Sequence, residues 1–468
     1  MQDNCSTNFC YATISEIHSA YNDKKLSVRN LVLSFLSRIA SIDKCKDGLN
    51  SVLEINPDAL CIADELDQRL LHGGEIANRK SGDFRFGPLF GIPVLLKDNI
   101  NTADRLHTSA GSVALADNYA PYDAHIVRRL REAGAIILGK ANMTEFANYM
   151  TDGAMPNGYS SRGGQTLNFF DPNADPGGSS TGSAVAVIAG LCAAAVGTET
   201  FGSIISPSQA AGIVGIKPTA GLLSNKGIIP ISFTLDTAGP MVRCAQDAGL
   251  LLGVLAGRQY ELSPASGLCG MRIGISRMFT EETSPEWLTA NKRLIGVMGE
   301  LGADLVELPE HKIRIGKLCY HITKHEFKFG INSYLQSMGN PNIPQNLGAI
   351  IAYNEQHADV ALKYGQDILT DVNDTTSGTM AEQIYTDTLA AREAMIHDFD
   401  KLFDDNHVDA VFMLAANSGL GAFTGFPCMT IPAGKTSSGL PIGSYFAARR
   451  FGEDILLRIA SAVEQALR

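Results

Sequence analysis

The 468-residue chain has few charged side chains and no excess of basic ones. Charged residues make up 19% of the chain, and 49 acidic against 38 basic residues give a net charge of -11 at pH 7. Nucleic-acid phosphates and anionic lipid surfaces attract basic proteins, so we expect neither as a partner. Hydrophobic residues make up 45% of the chain, which is enough to bury a large core and excludes an intrinsically disordered protein.

Long hydrophobic runs and targeting signals are also missing. The longest apolar run, 184–196, is shorter than the roughly 20 residues that a membrane-spanning helix needs. The N-terminus lacks the basic and apolar regions of a secretory signal peptide. The nine cysteines are odd in number and form no Cys-x-x-Cys pair, which favours reduced thiols. We therefore expect a cytoplasmic protein without a membrane span.

Short apolar runs alternate with amphipathic stretches of helical length, which is typical of an α/β sheet covered by helices. Ser27 is expected to cap a helix that reaches Ile39, and Gly134 to separate a helix that starts near Asp123 from a strand at 135–138. Further elements are expected as follows: strands at 271–275, 303–308, 409–414, 428–431 and 441–446, and helices at 287–301, over most of 347–403 and from Glu453. No repeat or linker marks a boundary, so we predict a single domain over residues 1–468.

A loop rich in glycine and serine stands out at residues 176–183, which have the sequence PGGSSTGS. A phosphate-binding Walker loop would need a lysine directly after Gly182, and the chain has none there. A nucleophile elbow would place the nucleophile at Ser180, but the turn-rich segment 171–176 cannot be the strand that an elbow requires before it. The third interpretation is a loop that caps a following helix of small residues at 184–196.

Two further stretches carry polar side chains that could act in catalysis. Residues 197–204 have the sequence GTETFGSI, which places Ser203 on a second glycine-containing loop. Residues 92–97 have the sequence IPVLLK, so Lys97 directly follows an apolar run. Alone, Lys97 would be interpreted as a solvated strand end. Buried, it would have a lowered pKa, because burial disfavours the charged ammonium form.

Together these stretches resemble the amidase-signature family of Ser-Ser-Lys hydrolases. The resemblance covers most of the chain, and the motifs occur in the family's order: the Gly-x-Pro-x-x-x-Lys-Asp segment, the two serine loops, and the segments 215–219, 236–240, 425–427 and 439–443. It is strongest to the peptide-amidase branch, whose members remove C-terminal amide groups. The resemblance implies one large α/β domain with a central mixed β-sheet covered by helices.

The resemblance also implies roles for particular residues. Ser203 would be the nucleophile, Ser179 the proton relay that follows a cis peptide bond, and Lys97 the base. A serine hydroxyl is a weak nucleophile until a base takes its proton, and a lysine can be that base only when it is neutral. The oxyanion would be met by backbone N–H groups of one loop, those of Thr200, Phe201, Gly202 and Ser203.

Phe201 departs from the family, which usually has glycine here, or aspartate among peptide amidases. If the position requires a positive φ, a phenylalanine would be strained. If it does not, the ring is expected to fill part of the substrate pocket, together with Gly178. Thr181 and the pair at 205–206 also depart from the usual residues. These changes leave the three catalytic side chains intact and bear on the choice of substrate.

Other polar groups are expected to be structural. His321 and His325 have the i, i+4 spacing of a zinc site, but neither the H-E-x-x-H nor the H-x-x-E-H order is present, so we expect a surface pair and no metal. Lys140 and Lys217 have looser apolar flanks than Lys97 and are interpreted as structural. The acidic pairs 281–282 and 404–405 are expected to be solvated.

The expected function is cofactor-independent hydrolysis of small-molecule or peptide amides, with esters or carbamates following the same route. One alternative is an amidotransferase A-subunit, which releases ammonia from glutamine for a partner chain. Another is a non-catalytic binding protein in which Phe201 distorts the oxyanion loop. The segment 415–424 is shorter than the family's usual stretch, which predicts a pocket that tolerates bulky acyl groups. The sequence does not define an oligomeric state.

Overall fold

The structure, a computed structural model, describes residues 7–73, 76, 86–152, 155–260, 262, 267–278, 283–309, 316–415 and 419–467. Its helices are α1 (Ile14–Asn22), α2 (Val28–Arg38), α3 (Ala59–Gly73), α4 (His125–Glu132), α5 (Thr181–Ile188), α6 (Ile205–Ala211), α7 (Ala245–Ala256), α8 (Pro285–Glu300), α9 (Gly316–Met338), α10 (Leu347–Gln356), α11 (Ala358–Ala361), α12 (Asp367–Thr375), α13 (Gln383–Asn406), α14 (Gly419–Thr424) and α15 (Glu453–Leu467). None of these described helices is long and apolar enough to cross a membrane.

The strands are β1 (Val52–Ile55), β2 (Pro93–Lys97), β3 (Ile136–Ala141), β4 (Tyr159–Ser160), β5 (Gly164–Gln165), β6 (Ala194–Glu199), β7 (Val214–Lys217), β8 (Thr237–Val242), β9 (Arg272–Ser276), β10 (Asp304–Glu307), β11 (Ala410–Met413), β12 (Cys428–Thr430), β13 (Pro432–Lys435), β14 (Pro441–Gly443) and β15 (Tyr445–Ala448). Eleven of them form one sheet in the order β1-β3-β2-β6-β8-β7-β12-β15-β11-β9-β10. Strand β2 is parallel to both of its neighbours, whereas β6 and β8 are antiparallel. The predicted mixed central sheet is therefore confirmed.

Most predicted elements lie within a few residues of their expected positions. Ser27 caps α2 by accepting a hydrogen bond from the backbone N–H of Asn30 at 3.1 Å, and a π-helical turn, Ile39–Asp43, follows. The single strand expected at 441–446 is wrong. Residues there form two strands, because β14 pairs with β13 in a separate hairpin while β15 joins the main sheet between β12 and β11.

The helix expected over 184–196 is also wrong in its second half. Helix α5 ends at Ile188, Gly190 adopts a φ of 65°, and the chain then enters β6. A left-handed residue ends a helix, and glycine adopts this conformation without steric cost. The alanines of β6 lie between β2 and β8 in the sheet, so pairing with distant strands overrides their intrinsic preference for a helix.

Strands β2 and β6 bring Lys97 and the segment 197–204 together at their carboxyl ends. Every residue of both strands is buried. The strands are parallel neighbours, with Leu96 paired to Val196, so their carboxyl ends meet. Lys97 at the end of β2 therefore lies beside the segment that follows β6 and carries Ser203.

Phe412 tests the packing of the sheet. It is fully buried in β11 and contacts its cross-strand partner Phe446, with ring centroids 4.8 Å apart. We expect Phe412→Ala to lower the free energy of unfolding by about 3–5 kcal/mol, since it removes a large buried side chain and leaves a cavity. Urea denaturation followed by circular dichroism measures this, with the exposed Phe451→Ala as the control. Equal stability of the two variants would contradict the packing.

Candidate active site

Lys97 is buried, as the apolar run before it indicates, and it is not a solvated strand end. Its side chain is fully inaccessible to solvent. The Nζ atom donates hydrogen bonds to Ser179 Oγ at 2.8 Å and to the backbone carbonyl of Thr198 at 3.0 Å. Burial lowers the pKa of Lys97 to about 7, although Asp236 and Glu199 act in the opposite direction. The lysine can therefore be neutral near physiological pH.

Ser179 sits on a backbone with an unusual conformation. The peptide bond between Gly178 and Ser179 is cis, as the family resemblance implied. The Ser179 carbonyl accepts a hydrogen bond from the backbone N–H of Thr144 at 3.1 Å, which fixes the loop. A Cβ atom on residue 178 would lie 2.4 Å from Asn157 Oδ1 and 2.7 Å from Thr144 Oγ1, so any other residue would displace these two side chains.

The loop that carries Ser203 turns at Gly202, which has a φ of 83°. Phe201 does not have a positive φ, so the strain considered from the sequence is absent. The Ser203 carbonyl accepts a hydrogen bond from the backbone N–H of Ser180 at 3.1 Å, which joins the two serine loops. Ser203 itself is buried to 7% exposure.

Glu199 fixes the C-terminal end of this loop, a role that was not predicted from the sequence. Its buried carboxylate accepts hydrogen bonds from the backbone N–H groups of Ile204 at 2.8 Å and Ile205 at 3.0 Å, at the start of α6. In contrast, the N–H groups of residues 201–203 donate to no acceptor within the described part of the chain. The N–H of Thr200 likewise has no acceptor among the described residues, so four adjacent backbone donors of this loop are unpaired there.

Asp236 is the second carboxylate that sequence reasoning missed. It precedes β8, whose antiparallel pairing with β6 brings it to Thr200. Its carboxylate accepts hydrogen bonds from Thr200 Oγ1 at 2.5 Å and from the N–H groups of Ile231 and Ser232 at 2.8 and 3.0 Å. Burial raises the pKa of Asp236 to about 6, against the effect of these hydrogen bonds. An acidic residue within a segment of small and apolar residues was the available signal for a buried, hydrogen-bonded carboxylate.

Glu326 on α9 supports the segment next to Asp236. It is fully buried and accepts hydrogen bonds from the hydroxyls of Ser232 and Thr234, from the Thr234 N–H at 3.1 Å and from the Tyr385 hydroxyl at 2.8 Å. This carboxylate therefore connects α9 and α13 to the segment that Asp236 in turn joins to the Ser203 loop.

A cavity of about 280 Å³ opens in front of the two serines. One wall belongs to the serine loops and consists of Gly178, Ser179, Thr200, Phe201 and Ser203. The other wall consists of the segment 147–149, Ile231 and the α9 residues Cys319, Tyr320 and Thr323. None of these described lining residues is charged. Residues 416–418 lie outside the described part of the chain, and α14, which follows them, is buried and does not line this cavity.

Ser180 and the remaining lysines have structural environments. Ser180 Oγ donates to the Thr198 carbonyl at 3.0 Å and accepts from the Thr198 N–H at 3.2 Å, and no strand precedes the loop. Lys140 is as buried as Lys97, but its Nζ donates to the Ile100 carbonyl at 2.6 Å and to Thr108 Oγ1 at 2.8 Å. Lys217 is also buried and donates to the Pro218 carbonyl at 2.9 Å.

The expected surface pair of histidines is wrong for His325. This side chain is buried, because this face of α9 packs against α13 and brings the His325 ring to 5.7 Å from Tyr385. His325 Nδ1 lies 2.7 Å from the His321 carbonyl. Asp404 and Asp405 are exposed, as predicted, whereas the pair at 281–282 lies outside the described residues.

Comparisons with known proteins agree with this fold. The Amidase family model matches residues 30–457. A probable amidase of Arabidopsis thaliana is 36% identical over 97% of this chain and 90% of its own. The A-subunit of the glutamyl-tRNA(Gln) amidotransferase of Syntrophobacter fumaroxidans is 31% identical over 97% of this chain and 96% of its own. The crystal structure of the native peptide amidase of Stenotrophomonas maltophilia superposes with a TM-score of 0.89 and 34% identity over 98% of this chain and 97% of that one.

The chain therefore belongs to the amidase family, and the resemblance found in the sequence is confirmed. It is an amidase-family hydrolase with the fold of the amidase-signature enzymes.

Ser180→Ala and Ser203→Ala should separate a structural serine from a reactive one. The first removes two hydrogen bonds at a buried position, so we expect the free energy of unfolding to fall by about 1–3 kcal/mol. The Ser203 hydroxyl makes no hydrogen bond to the described residues, so Ser203→Ala should stay within about 0.5 kcal/mol of the native chain. Urea denaturation of the two variants checks this, and the reverse order would contradict the assignment of Ser180.

Proposed function

We propose that this protein hydrolyses carboxamides through an acyl-enzyme, with Ser203 as the nucleophile, Ser179 as the proton relay and Lys97 as the base. The observation that carries the proposal is the 2.8 Å hydrogen bond between Lys97 Nζ and Ser179 Oγ, formed by a fully buried lysine. Ser179 and Ser203 line the same cavity, so both residues border the space in which a carboxamide would bind.

In the first half of the reaction, neutral Lys97 takes the hydroxyl proton of Ser179 while Ser179 takes that of Ser203. The oxygen of Ser203 attacks the carbonyl carbon and forms a tetrahedral intermediate. The N–H groups of Thr200, Phe201, Gly202 and Ser203 are the proposed donors to the oxyanion. Ser179 then delivers a proton to the departing nitrogen and takes one back from Lys97, which becomes neutral again, and ammonia or an amine leaves the acyl-enzyme.

In the second half, water replaces the amine. The relay of Ser179 and Lys97 takes a proton from the water as it attacks the acyl carbon, and returns a proton to Ser203 as the acid leaves. No step needs a cofactor. The same route would cleave an ester or a carbamate, because each presents a carbonyl carbon with a leaving group.

C-terminal peptide amides are the substrate class that we favour. Support comes from the similarity to the peptide amidase of Stenotrophomonas maltophilia and to a peptide amidase whose structure was solved in complex with the competitive inhibitor chymostatin. The uncharged cavity lining agrees with a neutral terminal amide. A non-catalytic role is less well supported, since the turn is at Gly202 and Phe201 does not have a positive φ.

An amidotransferase A-subunit is the second candidate, favoured by the 31% identity to such a protein over 97% of this chain. Free glutamine carries an ammonium and a carboxylate beside its side-chain amide. Burying these charges without partners would be costly, and the described lining residues offer none. We therefore favour peptide amides over glutamine as substrates.

Ammonia release from a panel of peptide amides, fatty amides, anilides and glutamine tests the proposal. Ser203→Ala and Lys97→Ala should each lower kcat by roughly four to six orders of magnitude, since members of a catalytic unit fail together. Ser206→Ala, in the first turn of α6, serves as the matched control and should keep its activity. Activity that survives Ser203→Ala would mean that the nucleophile is another residue, and glutamine as the best substrate would favour the amidotransferase.

The pH profile should follow the ionisation of Lys97. Burial lowers the pKa of this lysine to about 7, so below that pH it is protonated and cannot accept a proton. We expect kcat/KM to fall about tenfold for each pH unit below 7 and to level off above about 8. Asp236, with a pKa raised to about 6, adds to the loss at lower pH because protonation weakens its hold on Thr200 and the N–H groups. A profile that is flat between pH 5 and 8 would contradict Lys97 as the base.

A further inference from the structure

The proposed chemistry leaves one direction of the cavity for the acyl chain of the substrate. A tetrahedral carbon has four substituents, of which one is Ser203 Oγ. The oxyanion must face the N–H groups of the Ser203 loop, and the leaving nitrogen must face Ser179, which protonates it. The acyl chain is the fourth substituent. It must extend into the remaining part of the cavity, away from the Ser179 hydroxyl and from the N–H groups of the Ser203 loop.

Phe201 is a large apolar residue in the cavity wall. It lies two residues before Ser203, lines the cavity and is 43% exposed. The turn of the loop is made by Gly202, so nothing in the backbone conformation calls for a phenylalanine at 201. A ring of this size that contacts a bound apolar group removes its own surface from water and stabilises the complex.

The wall opposite Phe201 is uncharged, and parts of it are held in place. Tyr149 packs on Phe327 with ring centroids 4.9 Å apart. The backbone N–H of Ile231 donates to Asp236 at 2.8 Å. Tyr320 is fixed by a hydrogen bond of 2.6 Å from its hydroxyl to Asp371. Side chains fixed in this way lose little conformational freedom when a ligand binds.

Charged acyl side chains have no partner in this part of the cavity. The described lining residues include neither an acidic nor a basic side chain. Moving a charged group from water to such a surface without a compensating ion pair is unfavourable, whereas an aromatic or large aliphatic group gains from the same surface.

We propose that Phe201 is a specificity-determining residue, and that with Tyr149, Ile231 and Tyr320 it forms a pocket for an aromatic or large aliphatic side chain. The preferred substrates are amides in which this side chain is borne by the residue directly before the scissile carboxamide. This inference rests on the proposed function for the orientation of the substrate, and it extends that function to a substrate class.

The test is a series of N-acetylamino-acid amides with phenylalanine, leucine, alanine, aspartate and lysine as the acyl residue. We expect the native chain to show the highest kcat/KM with phenylalanine and leucine, a lower value with alanine and the lowest with the two charged residues. Phe201→Ala should lower kcat/KM for the phenylalanine amide by about tenfold or more while the alanine amide changes by less than about threefold.

Two variants keep the result interpretable. Phe201→Leu retains an apolar side chain and should restore most of the preference for large residues. Phe451→Ala removes another exposed ring that does not line the cavity and should change nothing. A loss of equal factor for all five amides in Phe201→Ala would mean that the residue shapes the loop and not the selectivity, and would overturn the proposal.

Binding to Ser203→Ala separates this inference from the proposed chemistry. We would measure the Kd of the phenylalanine and alanine amides by calorimetry, with and without Phe201→Ala in the same chain. Tighter binding of the phenylalanine amide that depends on Phe201 supports the pocket even if the native chain releases no ammonia, an outcome that would refute only the hydrolysis. Equal binding of the two amides, or binding of neither, would refute the pocket.

Discussion

The lowered pKa of Lys97 depends on keeping carboxylates out of contact with its buried amino group. Lys97 forms no ion pair with a described residue, and its two hydrogen bonds go to a hydroxyl and a backbone carbonyl. Glu199 and Asp236 are close enough to oppose the lowering of its pKa, but neither contacts it. A direct ion pair with either carboxylate would stabilise the protonated form, and Lys97 could then not accept a proton near neutral pH.

Backbone N–H groups hold those two carboxylates in place. Glu199 is bonded to the first turn of α6, and Asp236 to the segment at 231–232 and to Thr200. A buried carboxylate is unfavourable unless hydrogen bonds compensate for the lost water. The bonds to one oxygen of Glu199 and to both oxygens of Asp236 also fix the loop around Ser203. The acids thereby shape the site without forming an ion pair with Lys97.

Much of the fold could be predicted from local sequence, whereas the catalytic candidates came from the family resemblance. The cap at Ser27, the strand before Lys97 and the glycines around Ser179 are properties of short segments, and each has a local physical cause. What could not be predicted depends on contacts between distant segments. The alanine-rich run before Glu199 becomes a strand only because β2 and β8 flank it, and Glu326 acquires its partners from two other regions of the chain.

Neighbouring residues of the Ser203 loop have separate roles. Gly202 makes the turn with a positive φ, so residue 201 is free to carry a side chain without strain. The N–H of residue 201 is a backbone group and keeps its direction whatever that side chain is, provided that Glu199 and Asp236 hold the loop. Backbone donors can therefore remain in place for the proposed oxyanion hole while the side chain at 201 varies. In this chain that side chain is a phenylalanine that lines an uncharged cavity. The proposed selectivity therefore depends on the side chain of residue 201, whereas the proposed chemistry uses only its backbone N–H.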